Sequence, residues 1–319
     1  MTDVTAPLDD APHRSRTDAR PDVPTDVRTN RSRPPRRLPP GVVNWIGVAP
    51  FLIFAALFLI LPTINIVIGA FQTPEGGLTL RNVQGLMAPE VAKPFWISIQ
   101  LSLLTATLGC LIGLVLAAAV TRGGLPKGLR DGMLTFSGVA SNFAGVPLAF
   151  AFIATLGRLG LVTVIAKEVF GVSLLGLGFN LISFLGLTLT YLYFQIPLMV
   201  LIITPALDGL KKEWREAAQS LGATGWQYWR MVALPVLWPS LLGTLALLFA
   251  NSFGAVATAM ALTGSSLSLV PIILFAQIRG DVLQDPHLGY AIAFGMIVIT
   301  GIANIVYIVL RSRAERWLK

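Results

Sequence analysis

Apolar and polar positions in this chain come in long blocks instead of alternating residue by residue. Six apolar stretches fall at residues 46–71, 95–120, 133–157, 181–207, 238–262 and 289–310. At ~1.5 Å of helix rise per residue, each can cross the ~30 Å hydrocarbon core of a bilayer. The pattern predicts an all-α, polytopic membrane helix bundle with six transmembrane helices. Pro147 and Pro197 interrupt the third and fourth stretches. Two more segments, 161–170 (LVTVIAKEVF) and 265–278 (SSLSLVPIILFAQI), are apolar but too short to span. Each reads as a short interfacial or re-entrant piece or as ordinary loop packing, and the loop is the simpler expectation. No internal repeat is visible.

One long polar stretch lies between the first and last apolar blocks: DGLKKEWREAAQSLGATGWQYWRMVALP, Asp208 to Pro235. Leu210, Trp214, Ala217 and Leu221 recur at helical spacing and predict one amphipathic helix. Asp208 stands where an N-cap belongs, and Gly222 where a left-handed residue ends the last turn. Thr224 and Gln227 have capping-box spacing for a second helix. Trp226, Trp229, Val232 and Ala233 give that helix an apolar face, and Pro235 is expected to end it. The stretch holds three tryptophans, one tyrosine and the small pair Ala217–Ala218 beside Glu216. Small residues admit a close backbone approach and aromatics supply anchor area, which favours a docking helix pair. A pair lying on the lipid, with its tryptophans at headgroup level, is the competing reading.

Composition agrees with a membrane protein. The chain has 319 residues, 54% hydrophobic and 13% charged, about half the charged fraction of a soluble domain. The net charge of +8 would suit a nucleic-acid binder, but its placement points elsewhere. Residues 1–44 form a polar, Pro- and Arg-rich arm, expected to be disordered, ending in RSRPPRR just before the first span. With this arm inside, inside segments hold 19 Lys/Arg and outside segments five (Arg81, Lys93, Arg158, Lys167 and Arg279). The positive-inside bias therefore predicts both termini and the Asp208–Pro235 stretch in the cytoplasm. Cys110, the single cysteine, lies in an apolar run and has no partner for an intramolecular disulfide.

What the chain lacks narrows its function. None of the six stretches contains Asp, Glu, Lys, Arg or His, so proton relays and intramembrane catalysis are disfavoured. There is no GxxxxGK[ST], no HExxH and no CxxC, and His13 and His287 read as solvated residues. The reading is not an enzyme, with no metal and no cofactor of its own. If it transports a solute, energy and first capture come from other chains. The spans do carry Ser141, Asn142, Thr190, Tyr191, Gln195, Asn251, Ser252 and Asn304. These groups either bond across helices or, for Asn142, Gln195 and Asn251, line a polar solute pathway.

Glu216-Ala217-Ala218, then Gly222-Ala223, Trp229, Val232 and Leu234-Pro235, closely resembles the EAA loop of ABC-importer permeases, the membrane subunits of binding-protein-dependent uptake systems. Trp229 stands where that pattern often has Phe. The resemblance covers residues 95–319, five spans with the loop between the third and fourth of them. It implies a type I permease architecture in a prokaryotic inner membrane. It also implies that 208–235 couples to ABC ATPase subunits through Glu216, Ala217, Ala218, Gly222, Ala223, Trp226, Trp229 and Pro235. A second permease chain and an extracytoplasmic solute-binding protein are the other implied partners, and ATP is used by the partner subunits. On this reading 45–94 is an extra first helix with its outer loop, and 95–319 is the permease core. Tyr191–Leu207 and Ser252–Gly264 look most similar to the polyamine, phosphonate and iron(III) branch. An ATP-independent channel or carrier and a membrane scaffold that tethers a cytoplasmic partner are the alternatives.

Overall fold

A computed structural model describes the backbone of residues 40–279 and 286–317, with side chains over 48–277 and 287–313. Most of the arm at 1–44, His13 included, lies outside the described residues, although helix α1 (Pro40–Ala55) already begins within it. By contact density the chain divides into two units, Met1–Ile53 and Phe54–Lys319. Of the first, residues 40–53, within α1, are described.

The second unit is built from helices, with no strand among the described residues beyond an isolated bridge between Gln72 and Leu78. A π-turn (Ala56–Ile60) leads into α2 (Leu61–Ala70), followed by short α3 (Arg81–Gln84) and the long α4 (Pro89–Arg122). Then come α5 (Lys127–Asn142), α6 (Val146–Leu156), α7 (Leu161–Phe170) and α8 (Phe184–Asp208). The polar stretch forms α9 (Lys212–Ser220) and α10 (Gly225–Tyr228), followed by α11 (Leu234–Phe253), α12 (Val256–Thr263), α13 (Val270–Arg279) and α14 (Pro286–Trp317). Among the described residues, six stretches are long and apolar enough to cross a membrane: Val48–Ala70, Pro89–Arg122, Val146–Phe170, Phe184–Asp208, Gly225–Phe253 and His287–Arg313.

Four expectations need correcting. The third apolar stretch, 133–157, is not one helix: it breaks at Phe143–Gly145 into α5 and α6. Pro147 has no N–H to offer the Phe143 carbonyl, and the chain reverses at Gly145 with φ +77° before restarting. Pro197 does not break α8, which runs unbroken to Asp208. The fifth stretch breaks at Gly254–Ala255 with no proline, separating α11 from α12. Residues 161–170 and, within 265–278, residues 270–278 are helical, so neither segment is ordinary loop packing throughout. Gly171 ends α7 in the left-handed conformation, φ +66°.

Within lipid there is little hydrophobic drive for helices to associate, so close packing and polar contacts hold the bundle. Helix α4 crosses α8 at Gly109 and Gly113, a small-xxx-small pair. A methyl group on Gly109 would stand 3.0 Å from the Gln195 Cβ. A buried hydroxyl pair, Thr105 Oγ1 and Ser252 Oγ at 2.9 Å, ties α4 to α11. The Val270 N–H donates to Ser98 Oγ at 3.0 Å, which fixes α13 to α4. One apolar cluster runs from Ala106 and Met199 through Ile203 and Leu207 to Leu210, Tyr228 and Ala233. The α9–α10 pair is thereby seated on the bundle core.

Candidate functional site

The base of the helix pair is fixed by two arginines. Arg122, at the end of α4, donates through Nη2 to the Leu207 and Leu210 carbonyls at 2.9 and 3.1 Å. It thereby caps the carbonyl end of α8, where the helix leaves acceptors unpaired. Arg130 on α5 reaches both carboxylate oxygens of Asp208 at 2.9 and 2.7 Å. Asp208 is the last residue of α8 and caps nothing; the N-cap of α9 is Lys211, with no side-chain cap bond. The expected capping role is lost because α8 extends through Asp208 and the carboxylate pairs with Arg130.

The turn between the helices follows from its sequence. Gly222 adopts φ +77°. Its N–H bonds the Gln219 carbonyl at 2.9 Å, and the Ala223 N–H bonds Ala218 at 3.0 Å, a Schellman arrangement. No atom lies within 4 Å of where a Gly222 side chain would begin, so backbone conformation alone selects glycine. The capping box forms as expected: Gln227 N–H donates to Thr224 Oγ1 at 3.3 Å, and Thr224 N–H to Gln227 Oε1 at 2.7 Å.

Pro235 does not end the second helix. The chain passes from α10 through a π-turn, Trp229–Ala233, directly into α11, with Pro235 in its first turn. The Leu234 N–H bonds back to the Trp229 carbonyl. This wider turn relieves the carbonyl that a proline would otherwise meet. The predicted apolar stripe is also turned: Leu210 is buried and Trp214 and Ala218 pack on the core, whereas Ala217 and Leu221 face outward. On the second helix, Tyr228 and Ala233 are buried, Trp229 and Val232 half-buried, and Trp226 is 71% exposed. Glu216 and Pro235 are exposed and Ala223 half-buried. Glu216 Oε1 lies 3.6 Å from Lys212 Nζ.

Toward the middle of the bundle the two helix breaks meet. The Gly145 N–H donates to Thr258 Oγ1 at 2.7 Å, joining the break before α6 to α12. The Tyr191 hydroxyl donates to the Ala255 carbonyl, pinning the second break to α8. Beside them opens a cleft of ≈ 400 Å³ lined by Ser141, Gly145, Phe194, Asn251, Ala255 and Thr258, among others. Of the three candidate pathway residues, Asn251 lines this cleft. Asn142 is exposed and bonds back to the Gly138 carbonyl at 2.9 Å. Gln195 is fully buried and donates Nε2 to the Leu248 carbonyl at 2.8 Å, while its Oε1 has no partner. The structure brings Asn251 to the cleft and gives Gln195 a cross-helix bond.

Sequence reasoning passed over Arg122, Arg130, Gly145 and Thr258. Gly145 two positions before Pro147 is a turn signal of the usual kind. The arginines carried no signal beyond the charge bias.

No protein-family model matches the chain. It is 26% identical over 249 residues to the sulfate transport system permease protein CysT of Escherichia coli, covering 76% of this chain and 84% of that one. It is 24% identical over 222 residues to the probable sulfate transport system permease protein cysT of Chlorella vulgaris, covering 69% and 79%. Its fold matches a chain of the bacterial alginate ABC transporter in complex with alginate pentasaccharide-bound periplasmic protein, with a TM-score of 0.63 at 17% identity. That match covers 87% of this chain and 96% of the other. None of these relatives supports the polyamine, phosphonate and iron(III) branch. In sequence the chain is thus similar to membrane subunits of sulfate transport systems, and in fold to a chain of an ABC transporter.

Proposed function

We propose that this permease carries a small oxyanion of the sulfate class inward, driven by ATPase subunits that dock on the α9–α10 helix pair. The observation that carries the coupling role is the pair itself. Two short helices, locked by the Gly222 turn and the Thr224–Gln227 box, present Glu216, Ala217, Leu221 and Trp226 outward while Leu210, Tyr228 and Ala233 sit in the core. A push on the exposed face passes through that shared core to α8 and α11. Those helices flank the cleft, so the helix breaks at Gly145 and Ala255 are the points where the bundle bends between inward- and outward-facing forms. Glu216, Ala217, Ala218, Gly222, Ala223, Trp226, Trp229 and Pro235 belong to the coupling segment in this reading.

The substrate class rests on the sulfate permeases among the relatives and on the cleft's chemistry. Its lining has hydroxyls and an amide and no carboxylate, so no fixed negative charge opposes an anion. Asn251 is the pathway residue retained here; Gln195 is assigned to holding α8 against α11. A second permease chain completes the pathway, and an extracytoplasmic binding protein delivers the solute. Both termini and the helix pair face the cytoplasm, as the Lys/Arg bias favours.

Uptake of labelled sulfate by vesicles from cells expressing the chain with its co-purifying subunits tests this. The expected result is uptake that requires ATP and an ATPase with a phosphate-cradling loop in the purified complex. Uptake that proceeds without ATP, or a complex with no such ATPase, would replace the proposal with a passive carrier or scaffold. Uptake of a polyamine in preference to sulfate would overturn the substrate class alone.

A further inference from the structure

Between the end of α4 and the second helix of the pair lies a pocket of ≈ 490 Å³ that the transport reading leaves unused. Its long wall is apolar, formed by Leu114, Val115 and Ala118 of α4. Arg122 and Arg215 also line it, with Trp226, Tyr228 and Trp229. Arg122 spends one terminal nitrogen on the Leu207 and Leu210 carbonyls. Arg215 has no hydrogen bond or ion pair among the described residues. Tyr228 is 4% exposed, and its hydroxyl is buried without a partner.

We propose that this pocket binds an anionic phospholipid of the cytoplasmic leaflet. Its phosphate lies at Arg122 and Arg215, and one acyl chain runs along Leu114, Val115 and Ala118. Neither half of such a ligand suffices alone. A free anion would leave the apolar wall uncovered, and a fatty chain would leave two cations without a counter-charge. The wall continues onto the outward face of α4, where Val115 is 68% and Leu111 59% exposed, so a lipid reaches it without leaving the bilayer. Basic pockets at the cytoplasmic ends of membrane helices are recurrent sites for anionic headgroups, and tryptophans favour the headgroup level. Because Trp226, Tyr228 and Trp229 also belong to the coupling segment, the lipid braces the pair against α4. The choice of leaflet rests on the orientation proposed above; the binding chemistry does not.

The test is lipid retention by the purified full-length chain, read by native mass spectrometry. The probes are phosphatidylglycerol and phosphatidylcholine of identical acyl chains. The proposal expects phosphatidylglycerol to be held about tenfold more tightly, in line with hydrogen bonds to a charged group. Arg215→Gln and the pocket-filling Ala119→Phe should each abolish that preference, and Lys212→Gln, outside the pocket, should keep it. Equal retention of the two lipids would overturn the proposal. So would a preference that survives both Arg215→Gln and Ala119→Phe, or displacement of the lipid by inorganic phosphate alone. These detergent measurements are blind to orientation, so their failure is separable from an error in topology.

Discussion

Gly113 of α4 lies so close to Met199 of α8 that a methyl group on the glycine would come within 2.6 Å of the Met199 Cβ and Cγ. The Ile196 carbonyl would lie 3.0 Å away. Contact at that range leaves no room for any side chain, because real carbon atoms do not approach so closely and backbone cannot yield cheaply. The α4–α8 seam therefore depends on glycine at this position. Its residues reach down to Arg122 and Asp208, where the helix pair begins.

Gly113→Val should push the two helices apart and cost about 1–3 kcal/mol, the usual range for an overpacked core. Thermal unfolding in detergent measures this. Gly109→Ala should cost less, since its nearest neighbour, Gln195 Cβ, lies at 3.0 Å. A Gly113→Val protein that unfolds like the parent would show that the helices do not meet as described.

Gly222→Val places a β-branched residue at φ +77°, a left-handed conformation that costs an L-residue about 1–2 kcal/mol. There is open space around the position, so the chain should insert and fold. ATP hydrolysis by the assembled transporter should then continue while solute uptake falls. Gly222→Asn, which tolerates this region better, should retain more uptake than Gly222→Val. Equal uptake in both variants would remove the turn from the coupling mechanism.

The Arg130–Asp208 pair, with side chains 33% and 48% exposed, should contribute no more than about 1 kcal/mol in a double-mutant cycle. Arg122→Gln should be more harmful, because the Leu210 carbonyl loses its side-chain donor and the Leu207 carbonyl is left with the Leu210 N–H at 3.2 Å. A loss of roughly 1–3 kcal/mol is expected for hydrogen bonds from a charged group. Unfolding curves of the three single variants and the double variant decide the order.

Gln195→Leu removes an acceptor that has no partner and a donor that does. Its effect on stability should therefore stay within about 1 kcal/mol. Asn251→Trp, by contrast, should fill part of the ≈ 400 Å³ cleft and stop uptake while leaving the unfolding temperature unchanged. If Gln195→Leu blocks uptake and Asn251→Trp does not, the pathway runs elsewhere.

The helix pair was legible because its signals are local. A glycine past the last turn and a Thr–Gln capping box need nothing beyond neighbouring residues, and both formed as expected. Asp208 misled because an acidic residue before a helix looks the same whether it caps or pairs, and its partner Arg130 lies 78 positions away. Pro147 and Pro197 are equivalent in sequence, yet one breaks its helix and the other does not. The difference is that Gly145 supplies a reversal beside Pro147. The break at Gly254–Ala255 is held by Tyr191 from another helix, and no local pattern announces such a contact. On α9, Ala218 and not Ala217 joins Trp214 on the core, since the buried side is chosen by where the bundle sits, a tertiary matter. Gly109 and Gly113 were present as a small-residue pair, but their meaning appears only with Gln195 and Met199 opposite.

The most direct test of the account is a cross-link from the outward face of the helix pair. Cys110 is the single cysteine, so Cys110→Ser leaves a clean background for Leu221→Cys, a position 89% exposed. In membranes holding the assembled transporter, a thiol-attached photo-cross-linker at position 221 should join the chain to an ATPase with a phosphate-cradling loop, and added ATP should change the yield. A label that reaches only lipid, or a thiol modified by a membrane-impermeant reagent from the outer side, would contradict the docking role and the cytoplasmic placement together.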